Sequence, residues 1–224
     1  MEKEELLQKI LHCVENGKVN NAAPYPPNMK GKDGADEWTK KALEEGIGPD
    51  EILSEALIKA MDVVGKKFSE KKIFVPQMLI SAKAMNAAME HLKPYFQSGA
   101  VKKKGLFIIG TVAGDLHDIG KNLVGMIVEG AGWEVLDLGV DVNSRKFLDA
   151  IGSHKDAVVG LSALLTTTMA NMKTIAQDIK QQYPEVPLII GGAPVNENFK
   201  TEIGADGYAP DPQGAVSYLN SLIA

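Results

Sequence analysis

Cysteine is almost missing from this 224-residue sequence: Cys13 stands alone, so no internal disulfide can form and no paired-cysteine spacing exists for zinc or thiol redox work. A basic excess is missing too. The formal net charge is −5, and Lys and Arg are scattered among Asp and Glu, which leaves no cationic face for nucleic acid or an anionic membrane surface. No apolar run reaches about 18 residues, the length a membrane-spanning helix needs. The start, Met1-Glu2-Lys3-Glu4-Glu5, has neither the cationic segment nor the apolar core of a secretion signal. These absences predict a cytoplasmic chain with no nucleic-acid partner and no membrane partner. Cys13 itself lies with Leu11 and Val14 on a helical pattern and reads as a packing residue.

What is present is a globular composition, 45% hydrophobic and 24% charged, in a length that allows two modest domains. In the first part the apolar period is helical. Leu6, Leu7, Ile10, Leu11 and Val14 recur at three and four over Glu4–Val14, and Gly17 closes that helix. The prolines at 24, 26 and 27 forbid a helix over Asn20–Asn28, and Lys18–Gly34 is expected as an exposed loop. A second helix is predicted over Ala35–Glu45, and a third over Asp50–Phe68 with Pro49 at its first position. A fourth starts at Pro76, its face crowded with Met78, Leu79, Ala82, Met85, Ala88, Met89 and Leu92. A methionine and alanine stripe at this spacing is core more often than binding surface. Four helices in 1–97 predict a four-helix bundle cap.

After a polar linker over Gln97–Lys104 the pattern becomes short apolar runs alternating with helices. Strands are expected at Gly105–Gly110, Glu134–Leu138, Ala157–Leu161, Leu188–Ile190 and Gly207–Ala209, with helices at Ile119–Ala131, Ser144–Ile151, Thr168–Tyr183, Asn196–Ile203 and Pro212–Ile223. Such alternation predicts, for 98–224, an α/β Rossmann-like (flavodoxin-like), doubly wound, parallel five-stranded sheet. Ligands of such sheets bind at the carboxyl ends of the strands.

The residues suited to chemistry collect at those ends. The first strand runs into Gly114-Asp115-Leu116-His117-Asp118-Ile119-Gly120. A neutral imidazole is a good ligand for a borderline transition metal, and Asp115 is placed to accept its other ring N–H. On spacing alone, His117 reads first as a surface or helix-capping histidine with Asp118 as the first-turn acid. His12, His91 and His154 are not at ligand spacing, which disfavours zinc, and the turn lacks the glycine pattern of a dinucleotide site. The third strand ends in Ser162-Ala163-Leu164-Leu165-Thr166-Thr167-Thr168 and the fourth in Gly191-Gly192-Ala193, small and hydroxyl residues that leave room for a ligand.

Asp115-x-His117-x-x-Gly120, Ser162-x-Leu164 with Thr166 and Thr168, and Gly191-Gly192 together resemble the cobalamin-binding module of methionine synthase and the corrinoid proteins of methyltransferase systems. The resemblance extends to the helical part, in Met61-Asp62-Val63-Val64-Gly65-Lys66-Lys67-Phe68 and Phe74-Val75-Pro76-Gln77. It implies that His117 replaces the lower base on the cobalt of a bound cobalamin or related corrinoid, carried in the methylcobalamin form. Asp115 would hydrogen-bond His117, Thr168 would continue the chain, and Ser162, Thr166, Gly191, Gly192, Ala193 and Tyr208 would line the path of the nucleotide tail. Gly114, Leu116, Asp118, Ile119 and Gly120 would complete the turn against the corrin, and Phe68 and Val75 would cover its methyl-bearing face.

The resemblance further implies a carrier for anaerobic one-carbon metabolism, without catalytic residues of its own. It would take a methyl group from a substrate-specific methyltransferase and give it to a second methyltransferase acting on tetrahydrofolate or a thiol, with a reductive activase as a third partner. A hinge near Gln97–Lys104 would let the cap move aside. A cobalamin-dependent sensor is the alternative, and it would be expected to carry a fused signalling domain.

Overall fold

In the computed structural model, residues 2–97 and 103–223 are described. The chain divides into two compact units, Met1–Lys103 with Gly130–Gly132, and Lys104–Glu129 with Trp133–Ala224. The expected hinge falls largely, at 98–102, outside the described residues.

The first unit is helical. Helix α1, Lys3–Glu15, buries Leu6, Leu7, Ile10, Cys13 and Val14, the stripe its period dictates. Gly17, at φ +71°, turns the chain out of it, a conformation in which a Cβ is unfavourable. Helix α2 is Ala35–Glu44, and its start is held by the Glu37 carboxylate, which accepts from the Gly34 N–H at 2.8 Å. Helix α3, Pro49–Glu51, continues without a break into a π-helical segment, Ile52–Ile58, and then into α4, Lys59–Ser69. Ile52, Leu53, Ala56, Leu57, Ala60, Met61 and Val64 are all buried along this rod. Helix α5, Val75–Gln97, puts Met78, Met85 and Leu92 fully inside, so these methionines are core.

The segment between α1 and α2 corrects the expectation of an exposed loop over Lys18–Gly34. Lys18 has no exposed surface, and its ammonium donates to the Ala23 carbonyl at 2.8 Å. Met29 is buried within a single 3-10 turn, Pro27–Met29, in which Pro27 fits because the first residue needs no donor. Ala35 N–H and Asp36 N–H donate back to Lys18 and Val19 at 2.9 and 3.0 Å. A lysine can be buried where its charge finds a carbonyl and its four methylenes pack, a pairing that composition does not reveal.

The second unit is a parallel sheet of β1 (Leu106–Thr111), β2 (Glu134–Asp137), β3 (Val158–Ser162), β4 (Leu188–Gly191) and β5 (Gly207–Ala209), in spatial order β2-β1-β3-β4-β5. Between the strands run α6 (Ile119–Gly130), α7 (Ser144–Ser153), α8 (Met169–Gln182) and α9 (Glu197–Ile203), and α10 (Pro212–Ser221) follows β5. Alternation along the strands sorts the faces. Ile108, Val159, Leu161, Leu188 and Ile190 form one core with Phe147, Ile151, Met172, Ile175 and Ile179 of α7 and α8. Each fully buried aliphatic side chain of this kind contributes about 1.5–3 kcal/mol. The other face carries Phe107, Ile109, Gly160, Ser162, Ile189 and Gly191, and there a cavity opens towards α6 and α10.

Candidate functional site

Strand β1 pairs with β2 on one side and β3 on the other, so the chain leaves the ends of β1 and β3 in opposite directions. That divergence creates the crevice at which open α/β sheets bind ligands. The turn after β1 and the turn after β3 meet there.

Asp115 is the junction. Its carboxylate has no exposed surface and collects donors from both turns. Oδ1 accepts from the His117 backbone N–H at 3.1 Å and faces His117 Nδ1 at 2.7 Å. Oδ2 accepts from the N–H groups of Leu164 and Leu165 at 2.8 and 3.2 Å and from the Thr168 hydroxyl at 2.8 Å. Burial pushes this carboxyl group's pKa up, but the hydrogen bonds from Leu164, His117 and Thr168 outweigh burial and hold it well below the usual carboxylate range. A carboxylate kept ionised only accepts, so the ring nitrogen it faces carries the proton. Nε2 of the neutral ring then keeps its lone pair. The His117 side chain is 49% exposed, so the imidazole stands at the surface while its support is internal.

The backbone of the turn is pinned at successive points. Gly114, at φ +79°, donates its N–H to Asp141 Oδ1 at 2.7 Å, and Asp141 N–H donates to the Asp115 carbonyl at 3.0 Å. Asn171 Nδ2 holds the Ala113 carbonyl at 2.7 Å, and the buried Thr111 hydroxyl donates to the His117 carbonyl at 2.9 Å. Thr111, Asp141 and Asn171 were not singled out in the sequence. Thr111 ends β1, Asp141 follows β2 and Asn171 lies in the first turn of α8, and no motif marks them.

Around His117 the surface is apolar. Leu116 and Ile119 are 72% and 71% exposed, and Leu164 and Leu165, tied to Asp115, are 45% and 40% exposed. Large aliphatic side chains grouped in this way on an otherwise polar surface mark a surface that is covered in function. Beside them lies a slot of about 350 Å³ along the open face of the sheet, with Ser162, Gly191, Gly192 and Ala193 at its rim. Gly192 adopts φ +125°, and a Cβ there would come within 1.8 Å of the Ala163 carbonyl oxygen, so the chain passes the end of β3 at backbone distance. Lys121, also on the slot and almost fully buried, is held by Asp137 and by Asn122.

The remaining expected site residues fall as follows. Gly120 lines the slot in the first turn of α6, and Thr166 is exposed at the start of the 3-10 turn Thr166–Thr168. Asp118 is exposed, and its carboxylate accepts from Asn122 Nδ2 at 3.1 Å. Tyr208 borders the slot, yet its register with Ile190 puts its side chain on the opposite face, against the main core. Phe68 and Val75 belong to the helical unit, half-buried near the end of α4 and 36% exposed at the first position of α5 respectively.

Among the described residues no group of three or more His, Cys, Asp or Glu side chains could hold a metal ion. A metal at His117 would therefore have to arrive with its other ligands already in place. An α/β unit of this strand order, with one supported imidazole and a slot at its switch point, fits the corrinoid site that the sequence resemblance implies.

Comparison with known proteins agrees. A B12 binding domain profile matches residues 105–217, and a second B12 binding domain profile matches residues 31–93. The dimethylamine corrinoid protein of Methanosarcina barkeri is 34% identical over the full length of both chains. Trimethylamine corrinoid protein 1 of Methanosarcina acetivorans is 35% identical over 84% of this chain and 89% of its own. Among solved structures, the methanol:cobalamin methyltransferase complex from Methanosarcina barkeri superposes with a TM-score of 0.81 at 30% identity, covering 99% of this chain and 81% of that one. The chain belongs to the B12-binding corrinoid proteins of methyltransferase systems, and it binds a cobalamin-type corrinoid. The helical first unit followed by the parallel five-stranded unit is the expected fold. Among the described residues no helix is long and apolar enough to cross a membrane.

Proposed function

We propose that the chain carries a methyl group on the cobalt of its corrinoid, with Nε2 of His117 as the lower axial ligand. One observation carries this reading: the contact of His117 Nδ1 with the buried Asp115 carboxylate, which in the neutral ring places the proton on Nδ1 and makes Nε2 the ligating nitrogen, beside an apolar surface. The bound corrinoid supplies the cobalt that takes up and releases the methyl group.

The chain's own residues do the rest. Asp115 keeps the proton at Nδ1 and fixes the ring plane, and Thr168 with the Leu164 and Leu165 N–H groups keeps Asp115 ionised and oriented. The exposed side chains of Leu116, Ile119, Leu164 and Leu165 would pack against the bound corrinoid and exclude water from the Nε2 side. Ser162, Thr166, Gly191, Gly192, Ala193 and the Tyr208 backbone border the path of the nucleotide tail. Gly114, Asp118 and Gly120 shape the turn. In the helical unit, Phe68 and Val75 are the residues that would meet the methyl-bearing face.

The methyl donor's enzyme is a substrate-specific methyltransferase. The names of the relatives support a methylamine or methanol substrate for it. A second methyltransferase passes the group to tetrahydrofolate or a thiol, and a reductive activase restores the cofactor. The test is to reconstitute the protein with a corrinoid, reduce it, and supply methyltransferases for monomethylamine, dimethylamine, trimethylamine and methanol with their substrates. Methylation of the bound corrinoid with one pair, followed by its reversal when a folate or thiol methyltransferase is added, is the expected result. A reduced, corrinoid-loaded protein that no pair methylates would contradict the carrier role.

A further inference from the structure

We infer that the slot selects the lower base of the corrinoid, favouring a benzenoid base such as a benzimidazole over a purine. This rests on the reading above, in which the nucleotide tail enters the slot.

The polar side chains on the slot all lie at its rim. Ser162 closes β3, Lys121 in the first turn of α6 is held by Asp137 and Asn122, and Asp211 caps α10 by accepting from the Gly214 N–H at 2.8 Å. Tyr208 points its ring to the other face. One step further from the carboxyl edge the lining changes. Phe107 on β1, Gly160 on β3, Ile189 on β4, Leu123 and Val124 one turn into α6, and Ala215 one turn into α10 offer no side-chain donor or acceptor. The strand backbone under them is occupied by the ladder that joins β1, β3 and β4.

Gly160 gives this floor its character. A Cβ at that position would lie 2.4 Å from Phe107 Cζ, so the glycine is what lets the phenyl ring lie across the sheet and present itself to the slot. A flat base can rest on such a ring whether it is a benzimidazole or a purine, so stacking does not discriminate. The edges do. A base seated on this floor would meet the side chains of Val124, Leu123 and Ile189: a benzimidazole would bring C–H and methyl groups to them, whereas adenine would bring an exocyclic amine and ring nitrogens that find no side-chain partner among them. A buried polar group left in that state weakens binding by about tenfold or more.

The experiment is equilibrium dialysis of the full chain against cobalamin, against its adenine-based analogue pseudocobalamin, and against cobinamide, which has the corrin and cobalt but no base. Cobalamin should bind at least about tenfold more tightly than pseudocobalamin. In Val124→Thr, which places a hydroxyl on the half-buried wall of the slot, that ratio should shrink severalfold while cobinamide binding is unchanged. Equal affinities for the two complete cobamides, with cobinamide still showing a His117-dependent spectrum, would overturn the inference and leave the ligand assignment standing. An unchanged ratio in Val124→Thr would overturn the assignment of selectivity to this wall. A cobinamide complex whose spectrum is indifferent to His117→Ala would instead count against the axial-ligand reading itself.

Discussion

Asp115 Oδ1 and His117 Nδ1 lie 2.7 Å apart, the carboxylate wholly buried and the imidazole half exposed. Two residues of chain thus connect the interior of the sheet to its surface. The interior member serves two turns at once, since Oδ2 binds the segment after β3 while Oδ1 binds the segment after β1. The support of the imidazole and the packing of the crevice are therefore the same interaction.

Asp115→Asn tests that double duty. An amide has one acceptor oxygen, so either the His117 side or the Leu164 side would face an NH₂ group and lose its partner. The expected loss of stability is about 3 kcal/mol at neutral pH, read by urea denaturation. The depressed pKa of Asp115 gives the difference a pH dependence. Its contribution is present above the unfolded carboxyl value of about 4 and is lost as pH falls towards the folded value, so the gap between wild type and Asp115→Asn should narrow on acidification. A gap that widened in acid would contradict the hydrogen-bond assignment.

Gly192 and Gly139 separate steric from conformational demand. Both have positive φ, +125° and +89°, but a Cβ at 192 would strike the Ala163 carbonyl at 1.8 Å whereas at 139 nothing lies within 4 Å. Gly139→Ala is expected to lower stability by about 1–2 kcal/mol, the cost of the left-handed backbone alone. Gly192→Ala should cost about 2–4 kcal/mol and also weaken corrinoid binding, because the strand end at the slot rim must move. Denaturation curves of the two variants measured side by side would check this, and equal losses would contradict it.

The alternation of apolar runs with helical periods makes all five strands of the α/β unit legible, and the position of β1 in the sequence puts His117 at the carboxyl edge. Other features left no trace in a pattern. The π-helical segment Ile52–Ile58 keeps the same apolar stripe as an α-helix over its short length, so periodicity does not detect it. Lys18 reads as a solvated residue in a polar, proline-rich stretch because its buried state depends on one carbonyl, that of Ala23. Asp141 anchors the His117 turn from a position that only the pairing of β1 with the segment after β2 brings into reach, and Thr111 does so from the end of β1 because the turn folds back over it. Short-range pattern reports which face of an element is buried. Which loop lies beside which is a property of strand order.

Cys13 offers a check on the helical unit. Burial pushes its thiol up from an ordinary value of 9.0 to about 11. The thiolate is the reactive form, so at pH 8 alkylation by iodoacetamide should be much slower in the folded protein than in urea. A raised thiol pKa also means that the folded state holds its proton longer than the unfolded state. This contribution to stability should therefore fall as pH rises through the window from about 9 to 11, and Cys13→Ala should make the alkaline slope shallower there. Rapid labelling of the native protein at pH 8 would contradict the buried placement.

The most direct measurement on the central claim is electron paramagnetic resonance of the cobalt(II) form, prepared with ordinary protein and with protein carrying ¹⁵N-histidine. With His117 as axial ligand, the nitrogen superhyperfine pattern is expected to be a triplet in the first sample and a doublet in the second. It should be lost in His117→Ala, leaving either no axial nitrogen or that of the corrinoid's own base, which the label does not touch. A triplet that persists unchanged in the ¹⁵N-histidine protein would contradict cobalt ligation by His117.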